Sequence, residues 1–309
     1  MSLDKQFDRI DKIINKMVAG TERKVAKEYA KSLKTIYGEL GAIYAKYEVE
    51  GVLTYAEMTK YNRLATLFDS INGELKKVTS ETAKLTKTLS ADVYEASYFR
   101  TAYAFETELQ LKLGYALINP KVIEAAVQNP ISGLTLNERL AQRRAQIIIQ
   151  TKVEITQGLI QGESYPKMVK RIKGVYENDL SKSRRIIQTE AHRVQVDGRF
   201  QSMLHAEARG VAMVKVWQAA LDDRTRDIHA SLDGQKRALD EDFKSPSGAE
   251  GPAPGQLGAA SEDINCRCAI RPDVEGYEPQ TRAARGEEGK TITIPYQTYD
   301  EWFKNRVRK

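Results

Sequence analysis

The chain has 309 residues, of which 41% are hydrophobic and 29% charged, with a formal net charge of +6 and two cysteines. That length predicts about two domains, or one domain with a long helical appendage, and enough apolar surface for a real core. No apolar run reaches membrane-spanning length, and the charged start MSLDKQFDRIDKIINK lacks the apolar segment of a secretory signal. Two cysteines one residue apart make no disulfide framework, so the expected setting is a reducing cytoplasm.

The positive charge is localised. Residues 139–199 carry 13 Lys/Arg against 6 Asp/Glu, whereas 1–138 carry 19 against 18, 200–270 carry 8 against 11, and 271–309 carry 8 against 7. A basic surface confined to about sixty residues suits nucleic acid or an acidic partner, and it equally suits a solvated helix face.

Residues 4–48 read as one helix. Phe7, Ile10, Ile13, Ile14, Met17 and Val18 recur at spacings of three and four, and Val25, Tyr29, Leu33, Ile36, Tyr37, Leu40, Ile43, Tyr44 and Tyr47 continue the stripe. Gly51 breaks it. Thr54 and Glu57 form a capping-box pattern, and one or two long helices are expected from there to about Leu117, with no proline before Pro120. Leu64, Leu67, Phe68, Ile71, Leu75 and Val78 form one stripe, carried onward by Leu89, Val93, Tyr94, Tyr98, Tyr103 and Phe105. The tyrosines on these stripes read as helix–helix packing.

Pro120 and then NPISGLT (129–135) mark a loop. A helix spans 135–162, opened by Thr135 and Glu138 and closed by Gly162. A short helix opens near Pro166, and a third covers 179–210, closed by Gly210. Residues 211–220 alternate as a strand, with Val214 and Val216 on one face and Met213, Lys215 and Trp217 on the other. Asp222 or Asp223 then caps a short helix through Ser231, and Asp233-Gly234 turns the chain. Residues 245–261 are a Gly/Pro-rich loop, a second polar stretch runs to 289, and 290–296 alternate as a strand. Thr298 and Glu301 make a last capping box. The expected architecture is α+β and mainly helical. An elongated long-helix region covers 1–120, a basic helical region 121–210, and a small mixed α/β domain 211–309.

On the short helix, Arg226, His229 and Asp233 lie at i, i+3 and i+7, with Asp222 in reach of Arg226 and Asp233 in reach of His229. A carboxylate on an imidazole fixes its tautomer, as a metal ligand or a general base requires. Cys266 and Cys268 add two thiols, so His229, Cys266 and Cys268 are the candidate metal ligands, and zinc is the ion such a set takes. The same residues also suit a packed corner in which two small thiols fill space and the imidazole bonds loop carbonyls. His192 and His205, 13 residues apart on a helix, read as surface or satisfied interior groups. No P-loop, GxGxxG, HExxH or paired-carboxylate motif appears, which predicts that the chain is not an enzyme. Candidate phosphate contacts are Arg143, Arg144, Lys170, Arg171, Lys173, Arg184 and Arg185.

Trp217, Asp222, Arg224, Arg226, His229, Asp233-Gly234, the Pro/Gly loop and Ile264-Asn265-Cys266-Arg267-Cys268, with Thr189-Glu190 upstream in a basic helix, form a pattern that resembles the Mu F-like domain of phage head morphogenesis proteins. The resemblance covers roughly 135–270. It implies a structural minor head protein of a tailed phage, associated with the portal protein and the capsid or scaffold interior. Such a protein acts in head assembly and in DNA packaging or delivery, with non-specific contact to double-stranded DNA. It resides in the virion head interior, and in the host cytoplasm during assembly. Trp217, Asp222, Arg224, Arg226, Asp233, Gly234 and Asn265 are then structural residues of a clasp that joins His229 to the cysteine pair. Two rivals stay open: a dedicated DNA-binding protein, and a metal-dependent hydrolase centred on His229, Cys266 and Cys268.

Overall fold

The computed structural model describes residues 3–131, 133–277, 281–286, 290–298 and 301. It is mainly helical, with small antiparallel sheets toward the carboxyl end. Two compact units are present. One comprises Met1–Ala19, Thr88–Gly133 and Gln188–Lys309; the other comprises Gly20–Lys87 and Leu134–Ile187.

The second unit is all helical. It takes the later part of α1 (Leu3–Tyr47), the single-turn α2 (Tyr55–Thr59), the first part of α3 (Arg63–Glu108), α5 (Leu136–Ile160) and the first part of α6 (Tyr165–Ala208). The expected stripes are buried: Val25, Ile36 and Leu40 on α1, and Leu67, Ile71 and Leu75 on α3. The Thr54 hydroxyl accepts from the Glu57 amide at 3.2 Å, as the capping pattern predicts. Left-handed Tyr61 and Asn62 then end that first turn, so α3 begins afresh at Arg63. Thr135 and Glu138 cap α5 reciprocally.

Tyr29 and Tyr44 bury their rings and spend their hydroxyls on partners, whereas Tyr103, expected to pack between helices, is 61% exposed. Tyr44 donates to the Glu163 carbonyl at 2.8 Å, and Tyr29 donates to Asp179 at 2.7 Å. The second contact explains a departure from expectation. Where two helices separated near residue 178 are predicted, α6 runs unbroken for 44 residues. The Asp179 carboxylate is held by Tyr29 and Arg143, so it does not compete for its own backbone amides as a helix-ending aspartate would.

In the other unit, Phe7 and Phe105 meet edge to face at 6.3 Å, and Gly198 of α6 lets the backbone of α3 approach closely. A short α4 (Pro120–Gln128) occupies part of the stretch expected as loop. Asn119 accepts from the Lys121 amide and Pro120 sits in the first turn, so that proline starts a helix instead of excluding one.

β1 (Met213–Gln218) is the middle strand of an antiparallel sheet, between β2 (Lys236–Arg237) and β5 (Ala269–Val274). Trp217 pairs with Ile270, and Pro272 is tolerated because β5 is an edge. Both faces of β1 are covered, so Lys215 is fully buried. Its ammonium donates to the Leu239 carbonyl at 3.1 Å and lies over the Phe200 and Phe243 rings. The Gly/Pro-rich loop contains the two-residue strand β4 (Glu250–Gly251), which pairs with β3 (Phe243–Lys244) just before the loop. The polar stretch before 289 contains β6 (Thr281–Arg285), paired with the expected strand β7 (Thr291–Pro295). Thr298 and Glu301 make their capping contacts, and the helix expected to follow lies outside the described residues.

Candidate functional site

The segment 217–234 is tied to its own strand. Asp233 accepts from the Ala219 amide at 2.7 Å, and left-handed Gly234 donates to the Trp217 carbonyl at 2.9 Å. The single-turn α7 (Asp227–Ala230) is thereby folded back over the end of β1. Arg226 reaches across to the Glu262 and Ile264 carbonyls at 3.1 and 2.7 Å, fixing the turn after α8 (Ala260–Asp263). Asn265 follows in a left-handed conformation, and its amide donates to the Thr189 hydroxyl of α6 at 3.1 Å. Beyond it the chain is extended, so Cys266 and Cys268 share one side while Arg267 turns away to grip both oxygens of Asp222.

His229, Cys266 and Cys268 are all buried, and one donor atom from each lies within 4.8 Å of the others. The His229 Nδ1 atom is 3.7 Å from Cys266 Sγ and 3.4 Å from Cys268 Sγ. The other ring nitrogen faces Glu262 at 3.4 Å. Glu262 also accepts from the Ser245 hydroxyl at 2.8 Å and from Ser247. Trp217 packs edge-on against the imidazole at 5.5 Å, and Phe243 against Trp217. A hydrogen bond from Cys268, joined by His192 and His229, outweighs burial and holds the Cys266 thiol well below its ordinary range. Cys268 is pushed up by donating that bond and by burial.

Two local pairings differ from those expected. The carboxylate on His229 is Glu262; Asp233 instead pairs with Arg282, which is equally buried. Asp222 pairs with Arg267, and also contacts Arg224 at 3.7 Å, in place of Arg226. The physical reason is that α7 is one turn long, so helical i+4 and i+7 spacings do not extend to 222 or 233. Glu262 and His192 are site neighbours that the sequence reasoning misses. No sequence signal pointed to His192: that Thr189, three residues before it on one face of α6, anchors the turn preceding Cys266 is visible only in the fold. His205 stacks on Tyr115 and bonds the Leu113 carbonyl at 3.0 Å, a satisfied interior group.

The seven candidate phosphate contacts all fall in the helical unit and divide into two sets. Arg143 pairs with Asp179, and Arg171 with Glu154 and Glu163, both at 2.6 Å. Lys170, Lys173, Arg184 and Arg185 are exposed, with Lys173 making a loose 3.6 Å pair to Glu177, and Arg144 is half-buried.

Residues 149–271 match the family model described as Phage Mu protein F like protein. Over 299 residues the chain is 38% identical to the minor head protein GP7 of Bacillus phage SPP1, covering 97% of each. It is also 31% identical over 257 residues to the NAD(+)–arginine ADP-ribosyltransferase EFV of Enterococcus faecalis (strain ATCC 700802 / V583), covering 83% of this chain and 52% of that protein. No solved structure matches. The domain match and the end-to-end similarity to GP7 place this chain in the family of phage minor head proteins built on the Mu F-like domain.

Proposed function

We propose that the chain is an internal component of the phage head that sits with the portal protein, acts in assembly and in DNA packaging or delivery, and touches packaged double-stranded DNA without reading its sequence. The end-to-end similarity to a minor head protein carries this reading. The DNA contact rests on exposed Lys170, Lys173 and Arg184, which fall within roughly 60° of one another around α6 at 3.6 residues per turn, with Arg185 beside them. Cations so arranged bind phosphates by releasing counterions. The proposed contact set is the four cations that are exposed, Lys170, Lys173, Arg184 and Arg185, while Arg143 and Arg171 are less exposed and pair with carboxylates. The role is structural. His229, Cys266 and Cys268 are buried too deeply to meet a substrate, and the transferase activity named for the Enterococcus protein belongs to a chain of which this one spans about half. Among the described residues no helix is long and apolar enough to cross a membrane.

Quantitative mass spectrometry of purified virions beside emptied particles tests the reading. A few copies per full particle, cross-linking to the portal, are the expected result. Absence from both preparations overturns it, and strong DNA affinity by a chain absent from virions favours the dedicated DNA-binding rival. For the DNA contact, four phosphate contacts predict that log K falls with log salt at a slope of about −3.6. Charge reversal at Lys170, Lys173, Arg184 and Arg185 should flatten that slope. Binding that ignores salt removes the DNA contact alone.

A further inference from the structure

We propose that one zinc ion is held by His229 Nδ1, Cys266 Sγ, Cys268 Sγ and the imidazole of His192, as a closed structural centre that locks α7, the turn at 262–265 and α6 together. The first argument is metric. A tetrahedral zinc with sulfur at about 2.3 Å and nitrogen at about 2.0 Å has nitrogen–sulfur edges of about 3.5 Å. The two edges present measure 3.7 and 3.4 Å.

The second argument is the tautomer. A carboxylate oxygen of Glu262 stands 3.4 Å from His229 Nε2, and neither atom has a hydrogen-bond partner, so a proton on that nitrogen suits the carboxylate and leaves the Nδ1 lone pair to both sulfurs. A histidine that merely filled a corner would have no need of a fully buried carboxylate behind it. Two thiolates and a dication sum to zero, so the ligand set adds no net charge to the buried site.

The fourth position falls to His192. Its Nε2 atom is buried with no hydrogen-bond partner, and its ring lies near enough to Cys266 to lower that thiol while standing outside the 4.8 Å cluster of the other three donors, so it would close on the ion as the fourth ligand. Left-handed Gly255 makes room for the ring, because a Cβ there would lie 3.2 Å from His192 Cδ2. Four protein donors leave no position for water or substrate, so the ion stabilises the fold and does no hydrolytic chemistry.

The test uses the full chain, without a histidine tag, purified from zinc-supplemented culture. One zinc per chain by elemental mass spectrometry is expected. The zinc-edge absorption spectrum should fit two sulfurs and two imidazoles. Chelation should expose both cysteines to alkylation and lower the melting temperature, and zinc should reverse both changes. A natively folded chain, saturated with zinc and then desalted, that retains only a small fraction of an equivalent overturns the site. One equivalent whose spectrum fits a single imidazole overturns the place of His192. In His192→Ala, retained zinc with one imidazole fewer is the expected outcome; unchanged ligation refutes that assignment. The measurements on the unaltered chain decide the site even if a variant fails to fold.

Discussion

The Nε2 atom of His229 lies 3.4 Å from a carboxylate oxygen of Glu262, and the two side chains are 2% and 0% exposed. One oxygen of this deep carboxylate accepts from Ser245 and Ser247, and the other, which has no hydrogen bond, lies against the imidazole of His229. Glu262→Ala should cost about 3–5 kcal/mol, since it strands buried polar partners. Glu262→Gln, which keeps the shape, should cost about 1–3 kcal/mol. Urea denaturation of the full chain measures both. An alanine variant within about 1 kcal/mol of the parent would show that this network contributes little.

Asp233 and Arg282 form a second sealed pair, 2% and 1% exposed, with the guanidinium 3.0 Å from both carboxylate oxygens. Arg282 also donates to the Ala219 and Gln297 carbonyls. Arg282→Ala should cost about 3–5 kcal/mol by leaving Asp233 buried without its partner. Arg282→Lys should recover only part of that, because an ammonium cannot reproduce the planar fork. Protease resistance of the carboxyl-terminal hairpin, β6 and β7, should fall in the same order. Equal behaviour of the two variants would show that charge alone matters there.

Acid sensitivity should divide between two aspartates of α1. Burial pushes the Asp11 carboxyl up, but Arg199 and Arg271 together outweigh it and hold it below its ordinary value of 3.8. Its stabilising contribution is therefore complete above pH 3.8 and is lost as pH falls through the lower folded value. At Asp8 burial outweighs Arg271, so that carboxyl is raised above 3.8 and its ionisation weakens the fold as pH rises through the folded value. Asp11→Asn should destabilise at pH 7 and approach the parent in strong acid; Asp8→Asn should be neutral or stabilising at pH 7. Urea midpoints across a pH series decide the signs.

A Cβ on Gly198 would lie 2.5 Å from the Tyr94 carbonyl, whereas one on Gly174 of the same helix meets nothing within 4 Å. Gly198→Ala should cost about 1–3 kcal/mol by forcing α3 and α6 apart. Gly174→Ala should instead stabilise by up to about 1 kcal/mol through helix propensity. Thermal melts of the two variants should move in opposite directions. A shared direction would count against the close approach.

Much was legible because it is local. A period of 3.6 along 4–48 finds α1, and the stripe from Leu64 to Leu75 finds α3. Thr135 and Glu138 mark the start of α5, and alternation finds β1 and β7. The cluster of His229, Cys266 and Cys268 was legible as a set of residue types, and the motif from Trp217 to Cys268 named the family. Other features were not legible, because their causes lie far away in sequence. α6 continues past Asp179 because Tyr29, 150 residues earlier, takes its carboxylate. β6 reads as polar although its Arg282 is buried against Asp233, 49 residues upstream.

Composition, periodicity and motif determined that this is a mainly helical α+β chain of the minor head family, with its excess charge on one helical segment and its histidine and cysteines gathered late. Only the tertiary structure decided which carboxylate faces His229, which cations are spent on ion pairs, and that His192 borders the cysteines. The reason is physical. Helical period and capping act over three or four residues, whereas a buried charge is satisfied by whichever partner the packing brings within about 3 Å, however distant in sequence.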